Sequence, residues 1–146
     1  MYFFLDIDGV LNHRSMWKKG FSIDPKAVEN LALLLSKDAD PKIVLSSTWR
    51  AGFDVSGNSV STDILSEELK KYGLKIEDVT PNGKNKTRQD EIEYYIRRHG
   101  VGEYLVLDDD PSLFPEPESI NLYVVDAEIG LTEKDVKKIL KKSRYG

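Results

Sequence analysis

The sequence predicts a three-layer α/β domain in which helices cover both faces of a mostly parallel five-stranded sheet. Short apolar runs alternate along the chain with stretches whose apolar residues follow the helical period, a pattern typical of β-α-β units. Several apolar runs end in acids or hydroxyls, and parallel sheets bind their ligands at the carboxyl ends of the strands. The 146 residues contain neither an internal repeat nor a linker-like segment, so we expect a single domain over residues 1–146.

The composition narrows the classes of function. The net charge of −4, from 21 Lys and Arg against 25 Asp and Glu, argues against a general nucleic-acid-coating protein but not against one that grips a single phosphate or a strand end. The chain has no cysteine, which excludes disulfides, zinc–thiolate sites and thiol nucleophiles. No apolar run approaches the ~18 residues of a membrane span, and no secretory signal pattern opens the chain. We therefore expect a cytoplasmic protein without a membrane partner.

The first strand and the first helix of the pattern lie near the N-terminus. Residues 2–7 form a short apolar run that ends in aspartate, whereas residues 10–23 show no clear period and predict a loop or flap. The pair Asp24-Pro25 predicts a helix start, because an N-cap aspartate precedes a proline at the first helical position. One face of this helix is apolar, formed by Val28, Leu31, Leu34 and Leu35.

The middle of the chain predicts a second buried strand, a helix and an edge strand. The stretch KIVLSSTWR, residues 42–50, is apolar at first and then carries small hydroxyls. Residues 51–61 are rich in Gly, Ser and Asn and predict a loop. A helix follows near residues 62–72, with Gly73 as a plausible stop, and residues 74–79 predict a short edge strand.

The last part of the chain predicts two strands and two helices. Thr87 with Asp90 three residues later predicts a capping box, which opens a helix through about His99. The stretch EYLVLDDD, residues 103–110, predicts a third buried strand that runs into carboxylates. After a proline-punctuated loop, the stretch INLYVVD predicts another strand, and residues 132–142 predict an amphipathic closing helix.

Three of the predicted strands deliver acids and hydroxyls to the same rim of the sheet. These residues are Asp6 and Asp8, Ser46 and Ser47, and Asp108 and Asp109. Because we expect the strands to be parallel, their carboxyl ends share one edge, where such folds bind ligands. The convergence of polar residues from three separate strands predicts a functional site at this edge.

The motif DIDG, with Asp6 and Asp8, has structural and chemical interpretations. Asp and Gly are common turn formers, so the motif could be a simple turn after a strand. A calcium-binding EF-hand is excluded, because Gly9 comes too early in the motif and no entering helix fits before it. The spacing suits Mg²⁺, which commonly takes one or two carboxylates with water and substrate phosphate. One carboxylate can then attack phosphorus, while the other protonates the leaving oxygen and later activates water.

Several motifs together resemble the haloacid dehalogenase (HAD) superfamily of phosphatases. FLDIDGVLN resembles its first motif, IVLSS followed by TWR the second, and YLVLDDD the fourth. The combination of DIDGVLN, SSTWR and TRQDEI…YLVLDD resembles in particular the small HAD domains of RNA-repair, polynucleotide phosphatase-like, and phage proteins. The resemblance implies a Rossmann-like HAD fold with a minimal cap or none, and Mg²⁺ as the cofactor.

The resemblance also implies roles for the residues that match its motifs. By position, Asp6 is the nucleophile and Asp8 is the general acid/base, and Asp8 also gives its backbone carbonyl to Mg²⁺. Ser46, the first hydroxyl after the apolar run, would hydrogen-bond the transferring phosphoryl group, and Ser47 is the alternative. In the acid pair, Asp109 is the first choice as a direct Mg²⁺ ligand, with Asp108 acting through water.

The basic third motif of the family leaves a choice among Lys84, Lys86 and Arg88. Arg88 fits best, because the basic residue usually begins the helix in this family, as in TRQDEI. Lysine is commoner across the superfamily, which keeps Lys86 open as a substrate-binding or third-motif residue. The positive charge would offset the negative charge of Asp6 and of the phosphoryl group.

Three further residues near the predicted site have a structural as well as a functional interpretation. Arg50 could clamp a substrate phosphate through two hydrogen bonds, or it could form a surface ion pair. Trp49 could stack on a base, although a tryptophan between a strand and a loop is more often part of the core. Asp110 more often caps the turn at Pro111 than binds a metal.

The spacing of the motifs bears on the substrate. Neither the segment from Asp6 to Ser46 nor that from Ser46 to Arg88 is long enough for the cap domain that encloses small substrates in many family members. We therefore expect a Mg²⁺-dependent phosphomonoesterase whose open site accepts phosphorylated nucleic-acid ends or nucleotides. The alternatives are a small-metabolite phosphatase, covered by the flap of residues 10–23 or by a partner subunit, and a catalytically silent phosphate-binding module on the same fold.

Overall fold

The structure is a computed structural model, and it describes residues 1–19, 22–47, 60–81, 83 and 86–145. A sheet of five parallel strands forms its centre, in the spatial order β3-β2-β1-β4-β5. The strands are β1 (Tyr2–Leu5), β2 (Lys42–Leu45), β3 (Ile76–Val79), β4 (Tyr104–Asp108) and β5 (Leu122–Val124). The predicted five-stranded sheet is thus confirmed, and all of its strand pairs are parallel.

In the part of the chain that the structure describes, four helices and three short 3-10 helices accompany the strands. The helices are α1 (Pro25–Leu35), α2 (Val60–Lys70), α3 (Arg88–His99) and α4 (Glu133–Tyr145). The 3-10 helices are Arg14–Lys19, Pro111–Leu113 and Pro117–Ser119. Among the residues that the structure describes, no helix is long and apolar enough to cross a membrane.

The helices cover both faces of the sheet, so the core has two parts. On one face, α1, α2 and α4 pack on strand residues that include Phe3 and Leu5. On the other face, α3 packs through Ile92 and Tyr95 on strand residues that include Phe4. Because successive residues of a strand point to opposite faces, the short apolar runs fill both parts of the core.

Local signals in the sequence explain where the helices begin and end. Asp24 is the N-cap of α1 and accepts a hydrogen bond from the Lys26 amide. The predicted capping box of α3 is present: Thr87 accepts from the Asp90 amide, and the Asp90 side chain accepts from the Thr87 amide. Gly100 ends α3 in the left-handed conformation at φ +60°, which glycine adopts without steric cost.

The segment predicted as a loop or flap contains regular structure. Its 3-10 helix, Arg14–Lys19, is only six residues long, so it carries too few turns for a period to be visible in the sequence. This 3-10 helix is the one helix between β1 and α1 among the residues that the structure describes. Residues 20 and 21 of the flap, and residues 51–59 of the loop predicted after β2, lie outside the described residues.

Candidate active site at the carboxyl edge of the sheet

Four neighbouring strands each carry a buried polar residue at the carboxyl edge of the sheet. Asp6, Ser46 and Thr80 directly follow β1, β2 and β3, and Asp108 is the last residue of β4. None of the four is more than 4 % exposed. We refer to Asp6, Ser46, Thr80 and Asp108 as the polar row.

The register of the strands aligns the members of the polar row. Leu5 pairs with both Leu45 and Leu107, and Leu45 pairs with Val79, so the residues one position further along lie side by side. Adjacent strands are about 4.8 Å apart, so neighbours in the row can contact the same small ligand. Backbone hydrogen bonds of 3.0 Å extend the ladder beyond these pairs, from Asp6 N to Leu107 O, from Ser46 N to Leu5 O and from Thr80 N to Leu45 O.

The polar row faces the side of the sheet that α3 covers. Residues two positions apart in a strand share a face of the sheet. In three strands, the residue two positions before the member of the polar row packs with α3. These residues are Phe4, Val44 and Val106. In β3, Asp78 lies two residues before Thr80 and accepts a hydrogen bond of 2.8 Å from the Tyr95 hydroxyl of α3. Arg88, the first residue of α3, lies on the same side.

Arg88 joins two acids of the polar row. Its Nη1 lies 2.8 Å from Asp108 Oδ2 and 3.1 Å from Asp6 Oδ1, and its side chain is only 12 % exposed. The capping box at Thr87 fixes the start of α3 and therefore the position from which Arg88 reaches the acids. Of the residues considered for the basic motif, Lys86 is exposed and Lys84 lies outside the described residues. The structure thus brings Arg88 to the acids.

Asp109 completes a cluster of three carboxylates with Asp6 and Asp108. One oxygen from each of the three lies within 4.8 Å of the others. Asp109 packs so closely on Gly9 that a Cβ atom at Gly9 would lie 2.4 Å from Asp109 Oδ2, and Gly9 has φ +85°. The glycine of the DIDG motif is therefore required both by its backbone conformation and by the carboxylate beside it.

Burial and mutual repulsion disfavour ionisation of these acids. Burial first, and then the charge of Asp108, raise the pKa of Asp6 well above its ordinary value of 3.8, and Arg88 opposes this shift only in part. Burial also raises the pKa of Asp108, again against the effect of Arg88. One guanidinium does not balance three carboxylates, so the cluster has an excess of negative charge at its centre.

The donor set of the cluster fits a hard divalent cation. Three carboxylate oxygens converge in one place, and Mg²⁺ prefers oxygen ligands and is commonly held by a few carboxylates. A divalent cation would also relieve the repulsion that raises the pKa of Asp6. By ligand chemistry and by charge, the cluster therefore fits the Mg²⁺ ion that the sequence predicts.

Asp8 lies outside the cluster of three carboxylates. Its Oδ1 accepts a hydrogen bond of 3.0 Å from Asn12 Nδ2, and the residue is half-buried. Asp8 was predicted to ligate Mg²⁺ through its backbone carbonyl rather than through its carboxylate. Asn12 is itself buried, with 1 % exposure.

The remaining predicted residues fall into three groups. Ser47 is buried, one residue beyond the polar row. Asp110 caps the 3-10 helix that begins at Pro111, as predicted, and accepts a 3.0 Å hydrogen bond from the Ser112 amide. Arg50 and Trp49 lie outside the described residues.

Thr80 and Asn12 are site residues that reasoning from the sequence missed. Thr80 belongs to the polar row, and its buried Oγ1 has no hydrogen-bond partner among the residues that the structure describes. The signal for Thr80 was the same as for Ser46, a hydroxyl directly after a strand, but the strand before it, IEDV, is too polar to mark its end clearly. Asn12 gave no sequence signal beyond its place in a turn.

Comparison with known proteins gives one match. The model of the HAD domain in Swiss Army Knife RNA repair proteins matches residues 2–136, which is nearly the whole chain. Searches of curated proteins and of solved structures gave no match. The matched region includes the polar row, Arg88 and the three clustered carboxylates.

Proposed function

Because the chain belongs to the family of HAD domains found in Swiss Army Knife RNA repair proteins, we propose that it is a Mg²⁺-dependent phosphomonoesterase that acts on phosphorylated nucleic-acid ends. Membership of the family supports HAD-type phosphatase chemistry in general. The observation that carries the proposal is the set of contacts around Asp6: this buried carboxylate shares Arg88 with Asp108 and lies within 4.8 Å of acids from the end of another strand.

In the proposed first step, Asp6 acts as the nucleophile. One carboxylate oxygen of Asp6 forms a bond to phosphorus, and the bond from phosphorus to the leaving oxygen breaks. Asp8 gives its proton to that oxygen, which leaves as an alcohol. Arg88, 3.1 Å from Asp6 Oδ1, fixes the carboxylate and offsets negative charge as the phosphoryl group approaches.

The second step releases phosphate from Asp6. Asp8, now a carboxylate, takes a proton from water, the water oxygen bonds to phosphorus, and the bond to Asp6 breaks to give inorganic phosphate. In this proposal the Ser46 hydroxyl, next to Asp6 in the polar row, donates a hydrogen bond to a phosphoryl oxygen. Asp6, Asp108 and Asp109 would hold Mg²⁺, which supplies positive charge to the phosphate oxygens when bound.

The family and the short segment between β1 and α1 support the proposed substrate class. The matched family is one of RNA repair proteins, whose substrates would be RNA ends. Among the described residues, the chain between β1 and α1 forms one 3-10 helix and no strand, which favours a site without a folded cap domain at this point of the chain. A small-metabolite phosphatase covered by the Arg14–Lys19 segment is the second candidate, because this segment is tied to Asn12 and so lies near Asp8.

Phosphate release from a panel of substrates tests the proposal. The panel holds 4-nitrophenyl phosphate, 5′- and 3′-mononucleotides, oligonucleotides phosphorylated at either end, and sugar phosphates, each assayed with Mg²⁺ and with EDTA. We expect release that needs Mg²⁺, that is absent in Asp6→Asn and that is fastest for oligonucleotide ends. Asp40→Asn is the matched control, because Asp40 is exposed and precedes β2 at the opposite edge of the sheet.

Each contrary outcome rejects a different part of the proposal. Release that survives EDTA, or that persists in Asp6→Asn, would reject the Mg²⁺-dependent aspartyl-phosphate mechanism. Much faster release from sugar phosphates would replace the nucleic-acid substrate with a metabolite. Binding of phosphorylated ligands without release from any of them would favour a silent phosphate-binding module.

A further inference from the structure

The side chain of Asn12 connects Asp8 to an exposed tryptophan. Asn12 Nδ2 donates to Asp8 Oδ1 at 3.0 Å and to Ser22 O at 2.9 Å. Asn12 Oδ1 accepts from Gly9 N at 2.9 Å and from Trp17 Nε1 at 2.8 Å. An asparagine amide offers two N–H donors and one oxygen with two lone pairs, so all four bonding positions are used.

This set of bonds fixes the orientation of the amide. If the amide were rotated by half a turn, its oxygen would face the Asp8 carboxylate and the Ser22 carbonyl, which are both acceptors. Its NH₂ group would then face the Gly9 amide and the Trp17 indole N–H, which are both donors. Only the observed orientation satisfies all the partners, and Asn12 is 1 % exposed, so water cannot replace them.

We propose that Asn12 is a positioning residue for Asp8, and that Trp17 holds Asn12 in place. This inference rests on the proposed function, in which Asp8 is the general acid. The 3.0 Å hydrogen bond from Asn12 Nδ2 holds one oxygen of Asp8 in a fixed place, and the other three bonds of the Asn12 amide fix that donor in turn. Asn12 thus limits rotation of the Asp8 carboxyl group away from the leaving oxygen, to which Asp8 delivers its proton.

Trp17 links Asn12 to the surface of the molecule. It lies in the 3-10 helix Arg14–Lys19, its side chain is 38 % exposed, and its only polar group donates to Asn12. The guanidinium of Arg14 lies 5.4 Å from the centre of the Trp17 ring and also pairs with Glu128 at 3.1 Å. The indole is therefore fixed at one end by Asn12 and on one face by Arg14.

A positioning role for Asp8 predicts a dependence on the leaving group. An alkoxide such as a ribose oxygen is a strong base and needs a proton in order to leave, whereas a nitrophenolate leaves without one. A variant that only misplaces the general acid therefore slows cleavage of alkyl phosphates and spares nitrophenyl phosphate. A variant that damages the fold or the metal site slows both reactions. The ratio of kcat/KM for the two substrates separates these cases, because kcat/KM covers the steps through the first phosphoryl transfer.

The test uses Asn12→Ala and Trp17→Phe in the full chain with Mg²⁺. We expect Asn12→Ala to lower kcat/KM about 10- to 100-fold for a 3′- or 5′-phosphorylated oligonucleotide and less than about threefold for 4-nitrophenyl phosphate. Trp17→Phe keeps an exposed aromatic side chain but replaces the indole and its N–H donor with a smaller phenyl ring, so it should fold and shift the ratio in the same direction by a smaller factor. Tyr72→Phe is the matched control. Tyr72 is 42 % exposed, and the substitution removes a polar group from an aromatic side chain in another part of the molecule.

The outcomes distinguish this inference from the proposed function. An equal loss of kcat/KM on both substrates in Asn12→Ala would overturn the positioning role. If Asn12→Ala does not fold, an unchanged kcat/KM ratio in Trp17→Phe would overturn it. In both cases the phosphatase activity of the wild type, and with it the proposed function, would stand. A wild type that cleaves neither substrate overturns the proposed function and this inference with it. A shifted ratio in Tyr72→Phe as large as that in Trp17→Phe would also overturn it.

Discussion

At the scale of single residues, one guanidinium links carboxylates from two strands. Arg88 Nη1 contacts Asp6 Oδ1 and Asp108 Oδ2, and all three side chains are at most 12 % exposed. Removing one partner from such a buried group leaves the others without compensation, which costs far more than losing a surface ion pair. The neighbouring Lys86 is exposed and makes no such contact with these acids.

We expect Arg88→Gln to lose both activity and stability. Without the guanidinium, phosphate release should fall at least about 100-fold, because a fixed positive charge is lost beside the nucleophile. The free energy of unfolding in EDTA should fall by about 3 kcal/mol near neutral pH. Urea unfolding and the phosphatase assay measure the two effects.

Lys86→Gln is the control for Arg88→Gln. It removes the same charge two residues earlier, from an exposed side chain, and should change the free energy of unfolding by less than about 0.5 kcal/mol. A similar loss of activity in both variants would assign the effect to general electrostatics rather than to the contacts of Arg88 with Asp6 and Asp108.

The residues predicted best from the sequence are those whose position in an element defines their surroundings. Arg88 was favoured because it begins a helix, and the helix start was visible in the capping box of Thr87 and Asp90. The partners of Asn12 could not be predicted in this way, because they depend on where Trp17 and Ser22 lie relative to the turn after β1.

At the scale of elements, the turn after β1 is shaped by contact with the end of β4. Gly9 has φ +85°, and a Cβ at this position would overlap the Asp109 side chain. The first and fourth motifs therefore meet directly at this glycine. Gly100, at the end of α3, has a similar backbone conformation with φ +60°, but nothing lies within 4 Å of where its Cβ would be.

We expect Gly9→Ala and Gly100→Ala to differ in Mg²⁺ affinity. Both should lose about 1 kcal/mol of stability from placing a side chain in the left-handed conformation. Only Gly9→Ala displaces Asp109, so Mg²⁺ affinity measured by calorimetry should fall at least about tenfold in this variant alone. Wild-type affinity in Gly9→Ala would show that Asp109 is not a metal ligand.

Most elements of the fold could be predicted from the sequence, and the exceptions have local causes. α1 and α3 carry both a helical period and a cap, so their starts match the predictions. The 3-10 helix Arg14–Lys19 was missed because its position depends on the Trp17–Asn12 bond rather than on its own period. The register shift of β3 near Ile43 and Val44 was also missed, because the strand IEDV has no alternating pattern that would reveal it.

At the scale of the whole molecule, the strand order concentrates acids at one point. β1 lies between β2 and β4, so Asp6 has Ser46 on one side and Asp108 on the other. The sequence predicted that these residues share an edge, since parallel strands end together. Which strands are neighbours is decided by the crossover connections, and only the structure gives that order.

The carboxylate cluster contributes a pH dependence to the stability of the whole molecule. In the absence of metal, the pKa of Asp6 and that of Asp108 are raised in the folded state, mainly by burial, above the ordinary value of 3.8. Between the ordinary and the raised values, the folded state binds more protons than the unfolded state, so the free energy of unfolding falls as pH rises through this window. The contribution of these acids to stability is thus present at low pH and lost at higher pH.

We expect Mg²⁺ to stabilise the protein more at pH 8 than at pH 5. Protons and Mg²⁺ compete for the same carboxylates, and a ligand at 100 times its Kd stabilises the folded state by about 2.7 kcal/mol. Other acids also titrate, such as Asp90, whose pKa is lowered by its hydrogen bonds to Thr87 and which acts in the opposite sense. Asp6→Asn leaves those groups in place, so the difference between wild type and variant isolates the contribution of Asp6.

Thermal unfolding of the two proteins at both pH values, with EDTA and with Mg²⁺, gives the required comparison. In the wild type, the increase in Tm caused by Mg²⁺ should be larger at pH 8, whereas in Asp6→Asn it should be smaller and should depend less on pH. An equal increase at both pH values in the wild type would mean that Mg²⁺ binds away from the buried acids. An unchanged pH profile in Asp6→Asn would show that the excess negative charge of the cluster is already neutralised in the folded chain.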